Sequence, residues 1–284
     1  MNKQNVHWYP GHMKKAFNEI EPRLKIIDVI VEIVDARAPS SSKNPFLERL
    51  ISNKRRILVF SKKDLCDENL LLPFIKHYEE KGYIVLPFDI AKKESLKLLK
   101  SKIALAGEEK RAKEKRRGMK PQPIRCMVLG IPNVGKSSLI NALAGRASAS
   151  KANKPGHTRA QQWVRVEKDY ELLDTPGILP PHYEDPITAL HLALVGSIPE
   201  DILPLSELCD KLLDFLLPRY EKEFNDRFSV NVSNLTHSEI IEQVAISRGL
   251  LLKEGKKDID SAEKLILKEF KEGKIVNTVI DTLC

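Results

Sequence analysis

Residues 59–65 read VFSKKDL: the apolar run RRILVF (55–60) leads into a polar turn that carries Lys62 and Asp64. A second stretch, GIPNVGKSS (130–138), fits the pattern GxxxxGK(S/T) of a phosphate-binding loop. The strand-like IRCMVLG (124–130) before it and the helical GKSSLINALAG (135–145) after it supply the context that pattern needs. At ordinary glycine frequency, a chance match in a chain this long is roughly a one-in-a-hundred event. The turn comes first in the chain and the loop second. Whether the two meet in space decides the fold.

Working outward, IIDVIVEIVDA (26–36) and YIVLPF (83–88) read as further buried strands. Their nearly continuous apolar character suits a parallel sheet covered on both faces. DENLLLPFIKHYEEKG (67–82) has helical spacing and a stop glycine, and QQWVRVEKDYELLDTPG (161–177) supplies two strands around a Lys-Asp turn. Strands alternating with helices predict an α/β fold with a mostly parallel sheet and helices on both faces. After about residue 185 the periodicity becomes helical, in ITALHLALVGSI, LSELCDKLLDFLLPRYEKEF, THSEIIEQVAISRG and SAEKLILKEFKEG. The expected division is a domain over 1–180 and a smaller all-α domain over 181–284, joined at the Pro-rich ILPPHYEDP (178–186).

In the phosphate loop the glycines let backbone N–H groups wrap the phosphates, with Asn133, Val134, Gly135 and Ser138 completing the cradle. Lys136 neutralises the β- and γ-oxygens, and Ser137 places its hydroxyl on Mg²⁺. LLDTPG (172–177) ends a strand with Asp174, placed to hold Mg²⁺, and Gly177, whose N–H can meet the γ-phosphate. Together these features predict a P-loop nucleoside triphosphatase. Asp64 can accept two hydrogen bonds from guanine N1–H and N2–H₂, a pattern adenine lacks, while the Lys62 stem lies over the base. The usual asparagine of such a turn is replaced by Ser61, which predicts a lost brace on the phosphate loop. A further base contact is expected from the Ala91 N–H in FDIAKKES (88–95). All these loops belong at the C-terminal ends of strands in one sheet. A circular permutation reconciles the order, with AGEEKRAKEKRRGMKPQP (106–123) as the segment joining the old ends.

At this point the chain resembles the circularly permuted GTPases. HWYPGHMKKA, DARAP, GIPNVGKSSLINAL, KPGHTRAQQW and LLDTPGIL are similar to the ribosome biogenesis GTPase A branch, over nearly the whole chain. The resemblance implies GTP hydrolysis during late assembly of the large (50S) ribosomal subunit, stimulated by the ribosome, with a helical domain that assists RNA binding. It implies that Thr158 completes the Mg²⁺ shell and that His12 orients the attacking water, with His7 and His157 as rivals. The position that carries a water-orienting Gln in many GTPases is Ile178, which cannot do so. Asn133 resembles the asparagine that ligates K⁺ in potassium-activated GTPases, although an Asn in a turn equally braces backbone.

Composition sets the partners. The formal net charge is +8. From residue 190 onward 12 Lys and Arg face 17 Asp and Glu, a net of −5; the first 189 residues hold 35 against 22, a net of +13. A polyanion would therefore meet the first two-thirds of the chain. Residues 110–120 alone hold Lys110, Arg111, Lys113, Lys115, Arg116, Arg117 and Lys120, read either as a solvated helix or as an rRNA contact. No apolar run approaches the ~20 residues of a membrane span, the start lacks a signal-peptide core, and the four cysteines form no CxxC pair. A cytoplasmic monomer is expected, working on a large-subunit precursor of rRNA and ribosomal proteins. Three readings compete: a GTPase timer, a GTP-gated RNA-binding protein with little turnover, and a P-loop ATPase or small-molecule kinase.

Overall fold

The computed structural model describes residues 19–51, 53–145, 162–166, 168–180, 185–198 and 203–283. His12 and Thr158, and the rivals His7 and His157, lie outside the described residues.

Six strands form one sheet in the order β3-β2-β1-β4-β6-β5. They are β1 (Val29–Asp35), β2 (Arg55–Ser61), β3 (Ile84–Pro87), β4 (Ile124–Leu129), β5 (Gln162–Val166) and β6 (Tyr170–Asp174). Every neighbouring pair is parallel except β5 with β6. All seven residues of β1 are buried, because the central strand is covered on both faces. Val29, Val31 and Ile33 pack with Leu99 and Ile103 of α3 (Lys93–Ala106) and Leu139 of α5 (Lys136–Ala144). On the other face Ile30 meets Leu47 of α1 (Pro45–Leu50), while Val34 meets Phe74 of α2 (Glu68–Glu80). The strand begins three residues later than the apolar run predicts. Asp28 is used instead to accept the Arg125 N–H (2.8 Å) and the Lys110 ammonium (2.8 Å).

The connections answer the question of order. From β1 the chain steps outward through β2 and β3. It then returns through α3 and α4 (Glu108–Arg116) to β4, on the opposite side of β1. The return is pinned where Lys110 also donates to the Pro123 carbonyl (2.6 Å). The base-turn strand and the phosphate-loop strand therefore flank one central strand, and their loops leave from the same edge. This is the permuted connectivity that the order of the motifs predicts, in a mostly parallel sheet.

Beyond it lie α6 (Pro186–Leu194), α7 (Leu205–Phe228), α8 (His237–Ser247) and α9 (Ile259–Lys271). Asp185 caps α6 through the N–H groups of Ile187 and Thr188, and Thr236 with Glu239 forms a capping box on α8. A kink in α7 falls at Tyr220, two residues after Pro218. Leu212, Leu216, Phe224, Phe228, Ile240, Ile266 and Phe270 make its core, which is continuous with the α3/α5 face of the sheet. The sequence assigned nothing to the final stretch. Residues 274–283 form neither helix nor strand, and Ile275, Thr278, Val279, Ile280 and Asp281 are buried. Asp281 accepts from the N–H groups of Ser40 (2.7 Å) and Ser41 (2.8 Å), from Ser41 Oγ (2.6 Å), and contacts His191 Nδ1 (2.7 Å).

Candidate nucleotide site

Parallel strands bring their C-terminal loops to one edge, and the register fixes the neighbours: Asp35 lies opposite Ser61, Glu32 opposite Leu129, and Val128 opposite Asp174. The turn after β2, the loop after β4 and the loop after β6 therefore converge on this edge.

The phosphate loop is built from backbone. Gly130 sits at φ 152, and a Cβ there would lie 2.5 Å from the Ile33 carbonyl oxygen, so β1 leaves room only for glycine. Asn133 (φ 59) and Gly135 (φ 98) turn the chain into α5, whose first turn carries Lys136, Ser137 and Ser138. The Lys136 ammonium curls back onto the carbonyls of Gly130 (3.1 Å) and Ile131 (2.7 Å). Burial pushes its pKa down to about 8, against the pull of Asp174.

The DTPG loop lies directly on this one. A Cβ on Gly177 would come within 2.6 Å of Pro132 N, and Ile178 N–H donates to the Gly130 carbonyl (3.3 Å). Thr175 Oγ1 ties the loop to the Val128 carbonyl (2.6 Å). Ile178 points away from the site and packs with Ile20, Leu24, Met127, Leu129 and Leu173. It is a core residue, consistent with its having no part in orienting water.

At the base turn the structure corrects one expectation. Ser61 does not forfeit the brace: its Oγ lies 2.6 Å from the Val134 carbonyl of the phosphate loop and 2.9 Å from that of Val34. Parallel pairing of β1 with β2 and β4 sets the hydroxyl close enough for this short side chain to reach the loop. Lys62 adopts the left-handed conformation (φ 56, ψ 37), and its ammonium rests on Asp35 Oδ2 (2.8 Å). Asp64 is exposed, and its carboxylate makes no hydrogen bond or ion pair among the described residues. The Lys63 N–H donates to Phe88 O (3.2 Å), joining this turn to the loop after β3. There a second expectation changes. The Ala91 N–H assigned to the base is committed to Asp89 Oδ1 (2.9 Å), because an Asp two residues earlier forms a local turn.

The sequence missed the group that holds these loops from behind. Burial opposes charge on Asp35, but Arg37 and Lys62 more than reverse this and keep the carboxyl well below the usual carboxylate range. Arg37 grips it with Nε (3.0 Å) and Nη2 (2.8 Å), then donates onward to the carbonyls of Lys271 (2.8 Å) and Val195 (3.0 Å) at the ends of α9 and α6. The signal was present in DARAP: an Asp-x-Arg closing a strand buried along its whole length is a buried ion pair in waiting. Asn133 also reaches the helical region, donating from Nδ2 to the Gly196 carbonyl (2.9 Å).

These residues fit a magnesium nucleoside triphosphate. A buried ammonium hydrogen-bonded to loop carbonyls and a loop with no space for Cβ make a cradle for phosphate oxygens. Ser137 and Asp174 are the described candidates to hold the ion, and Asp64 offers an unengaged carboxylate to a base.

Comparison with known proteins agrees. A family described as "50S ribosome-binding GTPase" matches residues 125–213, a stretch that begins at β4 and leaves the upstream base turn out. The chain is 37% identical over 277 residues to "Ribosome biogenesis GTPase A" of Bacillus cereus, covering 98% of this chain and 94% of that one. It is 36% identical over 218 residues to "Mitochondrial ribosome-associated GTPase 1" of the mouse, covering 73% and 66%. The solved structure of GNP-bound YlqF from Thermotoga maritima superposes with a TM-score of 0.65 at 26% identity, covering 94% of this chain and 97% of that one.

Proposed function

The chain belongs to the ribosome biogenesis GTPase A family and is a GTPase of ribosome biogenesis, and from that premise we propose that it acts as a timer on a precursor of the large (50S) subunit. GTP binding favours docking and hydrolysis favours release. One observation carries this reading: loops far apart in the chain and in permuted order, with Asp64 on one side and Lys136, Asp174 and Gly177 on the other, share one sheet edge. An ATPase or small-molecule kinase has no use for Asp64 at that place.

In this reading Asp64 reads guanine, Ser61 and Lys62 hold the turn that presents it, and Val134, Gly135 and Ser138 surround the phosphates. Lys136 exchanges its loop carbonyls for β- and γ-oxygens, and the Gly177 N–H meets the γ-phosphate. Ser137, Asp174 and Thr158 would hold Mg²⁺, which when bound would neutralise the charge that builds on the phosphate oxygens. With Ile178 buried in the core, orientation of the attacking water falls to His12. Potassium at Asn133 Oδ1 remains part of the proposal, with the Nδ2 of that side chain on Gly196.

The rRNA contact is supported at the far pole of the sheet. Lys110, Arg111 and Lys113 are engaged with Asp28, Glu114 and Glu109. Lys115, Arg116, Arg117 and Lys120 are exposed and make no ion pair among the described residues. Beside them a groove of about 460 Å³ adds Lys25, Lys54 and Arg55. This clustering suits a phosphodiester backbone. No described helix is long and apolar enough to cross a membrane; cytoplasmic action as a monomer completes the proposal. The buried Ile178 also favours a second reading, a GTP-gated RNA-binding protein with little turnover. Hydrolysis in K⁺ buffer, with large or small ribosomal subunits added, decides between them. Stimulation by the large subunit alone supports the timer; GTP-dependent binding without stimulation supports the gated binder.

A further inference from the structure

We propose that the stretch 274–281, which leaves α9 and returns across the G domain, positions the guanine-reading turn, so that discrimination of guanine depends on the helical region being docked. The proposal rests on Asp64 as the base reader.

The contacts fall on the turn itself. Asn277 Nδ2 donates to the backbone carbonyl of Asp64 (3.1 Å). Gly273, at φ 67, passes so close that a Cβ there would lie 2.9 Å from Leu65 Cδ2. Val279 is buried in the same cluster as Val34 and Phe60, next to last in β1 and β2, and Cys66, which follows the turn. Ile280 N–H donates to the Arg37 carbonyl (2.8 Å), and Asp281 fastens the following loop through Ser40 and Ser41. The turn is thus held on both sides: Lys62 by Asp35, and the Asp64 backbone by Asn277. Such holding is needed, because Lys62 occupies a left-handed conformation that a non-glycine residue keeps only when its surroundings impose it. Of the remaining tertiary hydrogen bonds to residues 62–65, the described residues supply Lys63 N–H to Phe88 O (3.2 Å).

The phosphate loop has one such tie, Asn133 Nδ2 to the Gly196 carbonyl (2.9 Å), but its glycines and Lys136 are held by backbone, so the effect should fall more on the base than on the phosphates. Coupling is reciprocal: whatever moves the helical region changes guanine affinity, and guanine binding tightens the tail on the turn.

Competition against a fluorescent GDP, with GTP and with ITP, which lacks the 2-amino group, tests this. Asn277 is exposed, so Asn277→Ala leaves the fold intact. The expected result is a roughly two- to tenfold loss of GTP affinity, the range for one hydrogen bond. The loss for ITP should be smaller, so that the GTP-to-ITP ratio contracts. Gly273→Ala, strained at φ 67 and with a Cβ that would meet both Asn277 Oδ1 (2.8 Å) and Leu65 Cδ2 (2.9 Å), disturbs the same contact and should contract it too. A ratio that stays at the wild-type value in both variants overturns the proposal, whatever happens to overall affinity. Asp64→Asn is the control for the underlying assignment: if it also leaves the ratio unchanged, Asp64 does not read the base, and the failure lies there.

Discussion

The two halves of the nucleotide site are held by different means. The phosphate half is local: Gly130, Lys136, Thr175 and Gly177 are fixed by contacts with the backbone of β1, β4 and their own loops. The base half is held by side chains from far along the chain. Asp35 holds Lys62, Arg37 holds Asp35 and the ends of α6 and α9, and Asn277 holds the Asp64 carbonyl. A loop fixed mostly by its own backbone, with Asn133 on the Gly196 carbonyl as its tie to the helical region, depends less on how the rest of the molecule is docked. A turn fixed by a distant domain reports on that domain, and this is where the helical region can reach the nucleotide.

The comparison can be broken most directly at its two anchors. Lys136→Ala removes the only phosphate-facing cation described in the cradle, and nucleotide affinity should fall by at least about a hundredfold, the scale of two or more charge-assisted hydrogen bonds. The apo protein should unfold no earlier in heat, since the lost ammonium was buried at a cost. Titration with a fluorescent GDP and a melting curve check both halves of that statement.

Arg37→Ala should do the opposite, harming the fold first. It leaves the buried Asp35 with Lys62 as its one cationic partner among the described residues and unfastens two helix ends, a loss of about 3–5 kcal/mol by urea unfolding. The folded Asp35 carboxyl sits below its unfolded value of about 3.9. Its contribution is therefore complete above that pH and is lost as pH falls through the folded value. Wild type and variant should converge in stability only in strong acid.

Smaller effects sharpen the contrast. The free Lys136 ammonium titrates near 8, and phosphates favour its charged form. GTP binding at pH 8 should therefore take up protons, and affinity should fall as pH rises beyond it, by up to about tenfold per unit. Calorimetry in two buffers of different ionisation enthalpy measures the uptake. Ser61→Ala removes a single bond from base strand to phosphate loop and should weaken GTP by about two- to tenfold. An unchanged dissociation constant would show that the Ser61 contact with Val134 is not a working brace.

What could be read in advance follows the same division. Where backbone conformation dictates residue type, as at Gly130, Gly135 and Gly177, the sequence announces the structure. The permuted order was legible as well, because a turn after β2 and a loop after β4 can serve one ligand only in one parallel sheet. Contacts between single side chains and remote carbonyls leave no periodic trace, which is why the Arg37 fork and the returning tail were missed. Ser61 and Ala91 were misjudged for a related reason. Each was read by the residue type usual at its place, whereas distance decided what it bonds: the Val134 carbonyl for Ser61, and Asp89 for the Ala91 N–H.

The central claim, that two distant segments make one guanine site, is tested most directly by the base preference of Asp64→Asn. Xanthine offers an acceptor where guanine offers its 2-amino donor, and an amide can pair with it where a carboxylate cannot. The account predicts that the variant loses GTP by about a hundredfold, as expected when a base-reading carboxylate is left mismatched, and gains XTP, while the wild type prefers GTP. Unchanged preference for GTP in the variant would contradict it.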